Sequence, residues 1–193
     1  MKQRVGIFGG TFDPPHRGHL QVARAACDEL KLDRLLWIPA GTPPHKRSLP
    51  LSEAHHRVAM TEFMVAEDDR FALELFEVSR STTSFTVETL RYLRRMYPED
   101  ALVLIMGEDQ WASFDSWSQP AVIRSLAEIA VYHRAADGNE RYTQLSTPDY
   151  WLSGSLLAET STAIRQRVFR GEKVADDLLE TVAAYVNTNA LYR

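Results

Sequence analysis

The chain has 193 residues, of which 45% are hydrophobic and 25% are charged, with only 9 glycines and 9 prolines. This composition excludes a collagen-like chain, a flexible linker and a disordered segment, and it predicts a folded protein with a substantial core. Acidic residues outnumber basic ones by 26 to 22, so the net charge of -4 offers no general attraction to nucleic acid. Any anion must therefore bind at a local site.

Apolar runs alternate with stretches of helical periodicity along the whole chain. The predicted strands cover residues 5–8, 34–38, 71–76, 101–106, 128–133 and 150–152, and the predicted helices cover about 20–30, 52–66, 87–97, 162–170 and 176–187. This alternation predicts an α/β fold, a Rossmann-like doubly wound parallel sheet with helices on both faces. We expect one domain over residues 1–193, with about 160–193 as a C-terminal helical part, and ligand sites at the carboxyl ends of the strands.

The cysteine content and the apolar runs predict the location of the protein. A single cysteine, Cys27, cannot form an internal disulfide, and the first residues run straight into a strand without an apolar signal segment. The longest apolar run, at 101–106, is far shorter than the ~20 residues that a membrane helix needs. We therefore expect a soluble cytoplasmic protein with neither a membrane nor a nucleic acid as partner; its oligomeric state is left open.

The loop after the first strand carries the most informative residues. Gly9 and Gly10 allow a turn that exposes backbone N–H groups, and Gly18-His19 opens a helix whose N-terminus attracts an anion. His16 and His19 are three residues apart, so both side chains can reach the same phosphate. Two other interpretations stay open at this point, a metal pair that lacks its third ligand, and surface or capping histidines.

The string from Gly9 to Leu20, Gly-Gly-Thr-Phe-Asp-Pro-Pro-His-Arg-Gly-His-Leu, resembles the His-x-Gly-His loop of the nucleotidyltransferase superfamily. Within it, the chain is similar to the bacterial nicotinate-nucleotide adenylyltransferase family. Further matching segments are Pro43-Pro44-His45-Lys46, Ser84-Phe85-Thr86, Gly107-Glu108-Asp109 with Trp117, and Thr160-Ser161-Thr162-Ala163-Ile164-Arg165. Two positions depart from the family pattern: Phe85 stands where the family usually has Tyr, and Thr160 replaces the first Ser of its motif.

The resemblance implies site residues for ATP. It assigns catalytic roles to His16, His19, Lys46 and Arg165, and ATP binding to Gly9, Gly10, Thr11, Phe12, His16, His19, Gly107, Asp109, Ser161, Thr162 and Arg165. Taken alone, the Thr160–Arg165 segment could be a helix cap with a surface arginine, and Asp109 could simply begin a helix.

For nicotinate mononucleotide, the resemblance implies contacts from Thr11, His45, Lys46, Ser84, Phe85, Thr86 and Trp117. Backbone amides near Ser84–Thr86 would recognise the ring carboxylate, and the indole of Trp117 would stack on the ring. Capping by Ser84 and a core position for Trp117 are the alternatives that the residues themselves allow.

The activity that the resemblance implies is adenylyl transfer from ATP to nicotinate mononucleotide, with release of pyrophosphate. Mg²⁺ is expected as the cofactor, held by nucleotide oxygens and water, with no metal site on the protein. The rival interpretations are a related transferase acting on nicotinamide mononucleotide or phosphopantetheine, and a catalytically silent nucleotide sensor on the same fold.

Overall fold

The computed structural model describes residues 2–41, 51–80, 82–132, 147–153 and 160–193. Within these ranges six strands form one sheet in which every neighbouring pair is parallel. The strands are β1 (Arg4–Gly10), β2 (Arg34–Pro39), β3 (Phe71–Leu73), β4 (Ala101–Gly107), β5 (Glu128–Tyr132) and β6 (Tyr150–Leu152). Their order is β3-β2-β1-β4-β5-β6, which confirms the predicted doubly wound sheet.

Helices pack on both faces of this sheet. They are α1 (Arg17–Glu29), α2 (Ala54–Val65), α3 (Thr86–Met96), α4 (Glu108–Trp111), α5 (Pro120–Leu126), α6 (Ser161–Phe169) and α7 (Glu180–Thr188), with a 3₁₀ turn at Phe114–Ser116. None of the helices in the described ranges is both long and apolar enough to cross a bilayer.

The alternation of side chains along the strands divides the core into two halves. Phe8 and Trp37 point to the face that α1, α2, α6 and α7 cover. Ile7 and Leu104 point to the opposite face, against α3, α4 and α5. Because β1 and β4 are covered on both sides, they are apolar at nearly every position, as buried parallel strands are.

The predicted end of the third strand and the predicted start of the last helix were wrong, and both errors come from loop contacts. The third strand ends at Leu73 instead of residue 76, because the N–H of Phe76 turns away and donates to the Glu74 side chain at 2.9 Å. The last helix begins at Glu180 instead of residue 176. Asp177 lies in the preceding turn, where its carboxylate accepts from Arg167 at 2.7 Å and its carbonyl accepts from the Arg17 N–H at 2.8 Å.

The strand order fixes where a ligand can enter. From β1 the chain moves through β2 to β3 on one side, and from β4 it moves through β5 to β6 on the other. The connections therefore diverge at the β1–β4 pair, which leaves a crevice beyond the carboxyl ends of these two strands.

Candidate active site

A cavity of about 600 Å³ lies at the carboxyl ends of β1, β2 and β4, a volume that suits a small ligand. Its wall brings together eight of the residues that the sequence predicts for nucleotide binding: Gly9, Gly10, Thr11, Ser84, Phe85, Thr86, Asp109 and Trp117. They come from three loops that are far apart in the sequence.

Gly9 and Gly10 lack a side chain for different structural reasons. A Cβ on Gly9 would meet no protein atom within 4 Å, so this residue leaves open space at the cavity wall. A Cβ on Gly10 would lie 2.6 Å from the ring of Phe12. The backbone of Phe12 has a positive φ of 51°, which turns its side chain back into the core. There, the centroids of the Phe12 and Trp37 rings are 5.1 Å apart. The side chain of Phe12 is thus a core group, and only its backbone is available to a nucleotide.

His16 and His19 meet at the start of α1. Their ring centroids are 3.8 Å apart, and the backbone N–H of His16 donates to Nδ1 of His19 at 3.2 Å. In neutral His19 this hydrogen bond places the ring proton on Nε2, the atom on the far side of the imidazole. Both rings are thus held at a helix N-terminus where an anion is favoured. Neither histidine is among the residues that line the cavity.

The segment Asp13–Pro14, between β1 and α1, is held by the C-terminal part of the chain. Arg165 donates to the carbonyl oxygen of Asp13 at 2.7 Å, and the Ser161 hydroxyl donates to the carbonyl of Pro14 at 2.9 Å. The Asp13 side chain is fully buried and accepts from the hydroxyl of Tyr192 at 2.6 Å. The two anion-binding segments predicted from the sequence are therefore parts of one assembly.

The hydroxyl groups of Thr160 and Thr162, at the start of α6, make different hydrogen bonds. Thr160 caps the helix by accepting from the N–H of Ala163 at 3.1 Å. Thr162 accepts from Arg165 at 3.3 Å, and this guanidinium is only 6% exposed. Its Nε is buried without an acceptor among the residues that the structure describes. Arg165 is thus a buried structural link as well as a candidate phosphate ligand.

The first turn of α3 faces the cavity. Phe85 is the residue before the helix, and no side chain caps it. The Ser84 side chain does not cap the helix, so that alternative is wrong, and its hydroxyl instead acts to lower the pKa of Glu77. The first amides of a helix have no intrahelical acceptor, so the backbone N–H groups at Thr86 and Val87 are suited to a carboxylate. The Phe85 side chain is 38% exposed at this entrance.

Gly107 is the last residue of β4, and Asp109 lies two residues later in the first turn of α4. Gly107 precedes α4, and a Cβ there would lie 2.5 Å from Oδ1 of Asp109 and 3.1 Å from the hydroxyl of Tyr132. Glycine is thus required for the carboxylate to fold back over the strand end. Asp109 lies in the first turn of a short helix and also lines the cavity, and its contact with ribose hydroxyls stays a prediction.

Trp117 follows the 3₁₀ turn and is partly buried. It packs against Phe114 with ring centroids 5.6 Å apart, while another part of its surface lines the cavity. Trp111, by contrast, is wholly within the core, with the guanidinium of Arg124 5.0 Å above its ring. Trp117 therefore combines the core position and the exposed ring face that were expected as alternatives.

His45 and Lys46 lie outside the described residues, so their predicted contacts stay predictions. Among the residues that the structure does describe, no three His, Cys, Asp or Glu side chains come together in a way that could hold a metal ion.

Two charged residues at the site were not predicted. Arg57 of α2 is 3% exposed and donates to the carbonyls of Thr11 at 3.1 Å and Ala40 at 2.6 Å, which ties the ends of β1 and β2 together. Glu77 lies in the cavity wall and accepts from Thr89 at 2.8 Å. Burial raises the pKa of Glu77 above its usual range, although its hydrogen bonds and the charge of Arg57 act in the opposite direction.

The arrangement offers two kinds of recognition side by side. A helix start with two imidazoles and a nearby guanidinium can hold a chain of phosphates. The adjoining cavity has backbone amides, hydroxyls, a carboxylate and an indole face, which suit a sugar and a flat heterocycle with an anionic substituent.

Comparisons with known proteins agree with this arrangement. The family model described as cytidylyltransferase-like matches residues 7–167. A Salinibacter ruber protein, described as a probable nicotinate-nucleotide adenylyltransferase, is 37% identical over 98% of this chain and 97% of its own. A Thermus thermophilus protein with the same description is also 37% identical, over 98% of this chain and its full length.

Solved structures show the same fold. The nicotinic acid mononucleotide adenylyltransferase of Plasmodium falciparum, complexed with NaAD, superposes with a TM-score of 0.83 at 17% identity, over 98% of this chain and 97% of its own. The family model and the relatives cover nearly every element described above. The chain therefore belongs to the cytidylyltransferase-like nucleotidyltransferases and, among them, to the nicotinate-nucleotide adenylyltransferase family.

Proposed function

We propose that this enzyme transfers the adenylyl group of ATP to nicotinate mononucleotide and releases pyrophosphate. The observation that carries the proposal is the joining of Thr11, Thr86, Asp109 and Trp117 in one cavity beside the histidine-bearing helix start. The relatives' descriptions name this activity, and the cavity has the chemistry that its pyridine nucleotide needs.

In the proposed reaction, a 5′-phosphate oxygen of nicotinate mononucleotide attacks the α-phosphorus of ATP in line. One P–O bond forms as the bond from the α-phosphorus to the bridging oxygen breaks, and pyrophosphate leaves with that electron pair. The attacking phosphate is already ionised at neutral pH, so no general base is required. Catalysis then consists of positioning and of stabilising the charge that builds on the phosphates.

The phosphates would lie against the start of α1. There, Nε2–H of His19 and the ring of His16 donate to phosphate oxygens, while Arg165, Ser161 and Thr162 act at the β- and γ-phosphates. The hydrogen bonds from Arg165 and Ser161 to the Asp13–Pro14 carbonyls support this placement, because they bring α6 to the same loop. Lys46 would add a further positive charge on the triphosphate.

The pyridine nucleotide would occupy the cavity. Its ring would stack on Trp117, and its carboxylate would accept from the first amides of α3 at Thr86. Thr11 would contact its phosphate, and His45 would approach from the next loop. On the ATP side, Asp109 would accept from ribose hydroxyls. The lack of a hydroxyl on Phe85 does not affect recognition by backbone amides.

Mg²⁺ is part of the proposal. We expect the ion to be held by triphosphate oxygens and water rather than by a dedicated site on the protein. When bound, it would neutralise charge on the triphosphate. We also propose that residues 1–193 act as one nucleotidyltransferase domain, in which residues 160–193 complete the phosphate site.

The test is a pyrophosphate-release assay with ATP and each of three acceptors: nicotinate mononucleotide, nicotinamide mononucleotide and phosphopantetheine. We expect turnover to be fastest with the nicotinate compound. Faster turnover with phosphopantetheine would assign the protein to a related transferase. Binding of ATP without turnover of any acceptor would identify a nucleotide sensor instead.

A further inference from the structure

Glu77 follows β3 and joins three separate segments of the cavity wall. Its carboxylate accepts from the hydroxyl of Thr89 in α3 at 2.8 Å, and the backbone N–H of Gly41 after β2 and the hydroxyl of Ser84 before α3 also act to lower its pKa. The contact with Gly41 is close, because a Cβ on this glycine would lie 2.3 Å from the carbonyl oxygen of Glu77 and 2.6 Å from the Ser84 hydroxyl. The three segments therefore pack together around one side chain.

The positive charge of Arg57 in α2 partly offsets the negative charge of the Glu77 carboxylate. Arg57 is buried beside it and donates to the carbonyls of Ala40 at 2.6 Å and Gly41 at 3.4 Å. Placing a carboxylate in such a partly desolvated wall costs free energy unless donors surround it, and the Thr89 hydroxyl is such a donor. The Glu77 oxygens are thus directed at the protein, an arrangement that suits a supporting group better than a direct ligand for an anion.

The network determines how α3 begins. The side chain of Phe85 makes no capping hydrogen bond, and the hydroxyl of the preceding Ser84 lies close to Gly41 and acts to lower the pKa of Glu77. Thr89, on the first turn of the same helix, is bonded to the same carboxylate. Glu77 therefore contacts the first turn of α3 at Thr89 and lies near Ser84, just before the first free amides of the helix.

We propose that Glu77 is a positioning residue that determines specificity for the pyridine nucleotide, by fixing the start of α3 so that the amides at Thr86 and Val87 face the ring carboxylate. This inference rests on the proposed function, because it assumes that the ring lies in the cavity. It assigns Glu77 no contact with either substrate.

The variants Glu77→Ala, Glu77→Gln and Thr89→Val test the proposal by separate measurement of KM for both substrates. In Glu77→Ala, the Thr89 hydroxyl loses its acceptor and the carboxylate next to Gly41 and Ser84 is removed, so we expect KM for nicotinate mononucleotide to rise about tenfold. KM for ATP should stay within about twofold, and the preference for the acid over nicotinamide mononucleotide should fall roughly fivefold.

Glu77→Gln is the conservative rescue. Its side-chain oxygen can accept from the Gly41 N–H, and its NH₂ can donate to the hydroxyls of Ser84 or Thr89, which accept as well as donate. We expect KM for nicotinate mononucleotide to return to within about threefold of the wild type. Thr89→Val removes one donor and should raise this KM by about threefold.

The matched control is Glu88→Ala. Glu88 lies on the same turn of α3, but its carboxylate pairs with Arg80 at 2.9 Å, and it is not among the residues that line the cavity. This variant should leave both KM values within about twofold.

Equal effects of Glu77→Ala on both substrates, or an unchanged acid preference, would overturn the proposal. If Glu77→Ala does not fold, Thr89→Val decides the matter, because an unchanged KM for nicotinate mononucleotide in that variant would also overturn it. A failure of the proposed function is distinguishable, because the wild-type enzyme itself would then not turn over nicotinate mononucleotide.

Discussion

The two sides of the crevice are built in different ways. On the histidine side, Asp13 and Pro14 are held by hydrogen bonds from Ser161, Arg165 and Tyr192, all of which come from the C-terminal part of the chain. On the cavity side, the groups that face the ligand belong to the ends of strands and to the first turn of a helix. The phosphate side is thus held mainly by the C-terminal part of the chain, whereas on the ring side Arg57, Glu77 and Thr89 connect the neighbouring segments around β2, β3 and α3.

If this contrast is correct, substitutions on the histidine side should lower kcat, and substitutions on the cavity side should raise KM for one substrate. The largest effect is expected for His19→Ala. Loss of a donor aimed at the reacting phosphate should lower kcat by about two decades or more, with the fold intact. Steady-state kinetics and circular dichroism measure the two quantities.

His55→Ala is the control for that variant, because His55 is exposed on α2 and pairs with Glu53 at 3.2 Å. It should retain activity within about twofold. Near-normal kcat in His19→Ala would refute the role of His19 and, with it, the catalytic assignment of the histidine side.

The next largest effect is expected for Arg165→Lys. Lysine keeps the charge but cannot reproduce the planar fork that reaches Asp13 and Thr162 together, so kcat should fall by about one to two decades. Arg170→Lys is the control, since Arg170 is exposed at the end of α6. An Arg165→Lys variant that raises only KM for ATP would show that this residue binds the nucleotide without organising the loop.

Trp117→Ala tests the cavity side. Removal of a stacking surface should weaken binding of the pyridine nucleotide by about 1–3 kcal/mol and leave ATP almost unaffected. Isothermal titration with each ligand separately measures the difference. Trp151→Ala on β6 is the control, because Trp151 is partly exposed and is not among the residues that line the cavity. Equal losses for both ligands would assign Trp117 to the core alone.

The smallest effect is expected for Tyr192→Phe. Without its hydroxyl, one oxygen of the buried Asp13 carboxylate loses a donor, which should lower the free energy of unfolding by about 1–3 kcal/mol. Denaturant unfolding measures this loss, with Tyr150→Phe as the control, because the Tyr150 hydroxyl donates at 3.1 Å to the solvent-exposed carboxylate of Glu128 instead of to a buried one. We also expect kcat to fall by about threefold while KM for nicotinate mononucleotide stays constant. An unchanged kcat would limit the bond to a stabilising role.

The sheet was predictable because its pattern is simple. Buried parallel strands are continuous apolar runs, and the run at 101–106 became the central β4. The strand ending at Leu73 was predicted too long, because the alternation of Phe71, Leu73 and Leu75 continues past the point where pairing stops. Periodicity reports which face a side chain takes but does not report whether a partner strand is still present.

The candidate site was predictable where a motif is contiguous, as from Gly9 to His19, and less so where single residues act over a distance. Arg57 carried a usable signal, because it shares a face of α2 with Met60, Thr61 and Met64 and is buried with them. A charged residue at core spacing indicates a buried ion with a defined set of partners. Glu77 lies in an irregular segment between β3 and α3, where the spacing of residues in the sequence does not predict which side chains share a face. Its contacts become visible only in the folded structure.

The hydrogen bonds that secure Asp13 cross nearly the whole chain, from Arg165 at a separation of 152 residues and from Tyr192 at a separation of 179. Contacts of such high order form late, because both partners must have been synthesised before they can close. A nascent chain that ends before α6 already carries β1, β4, His16 and His19, and its Asp13 can accept from the Ser52 N–H at 3.1 Å, but the donors from Ser161, Arg165 and Tyr192 are still missing. Full binding competence should therefore appear only after Tyr192 has been synthesised.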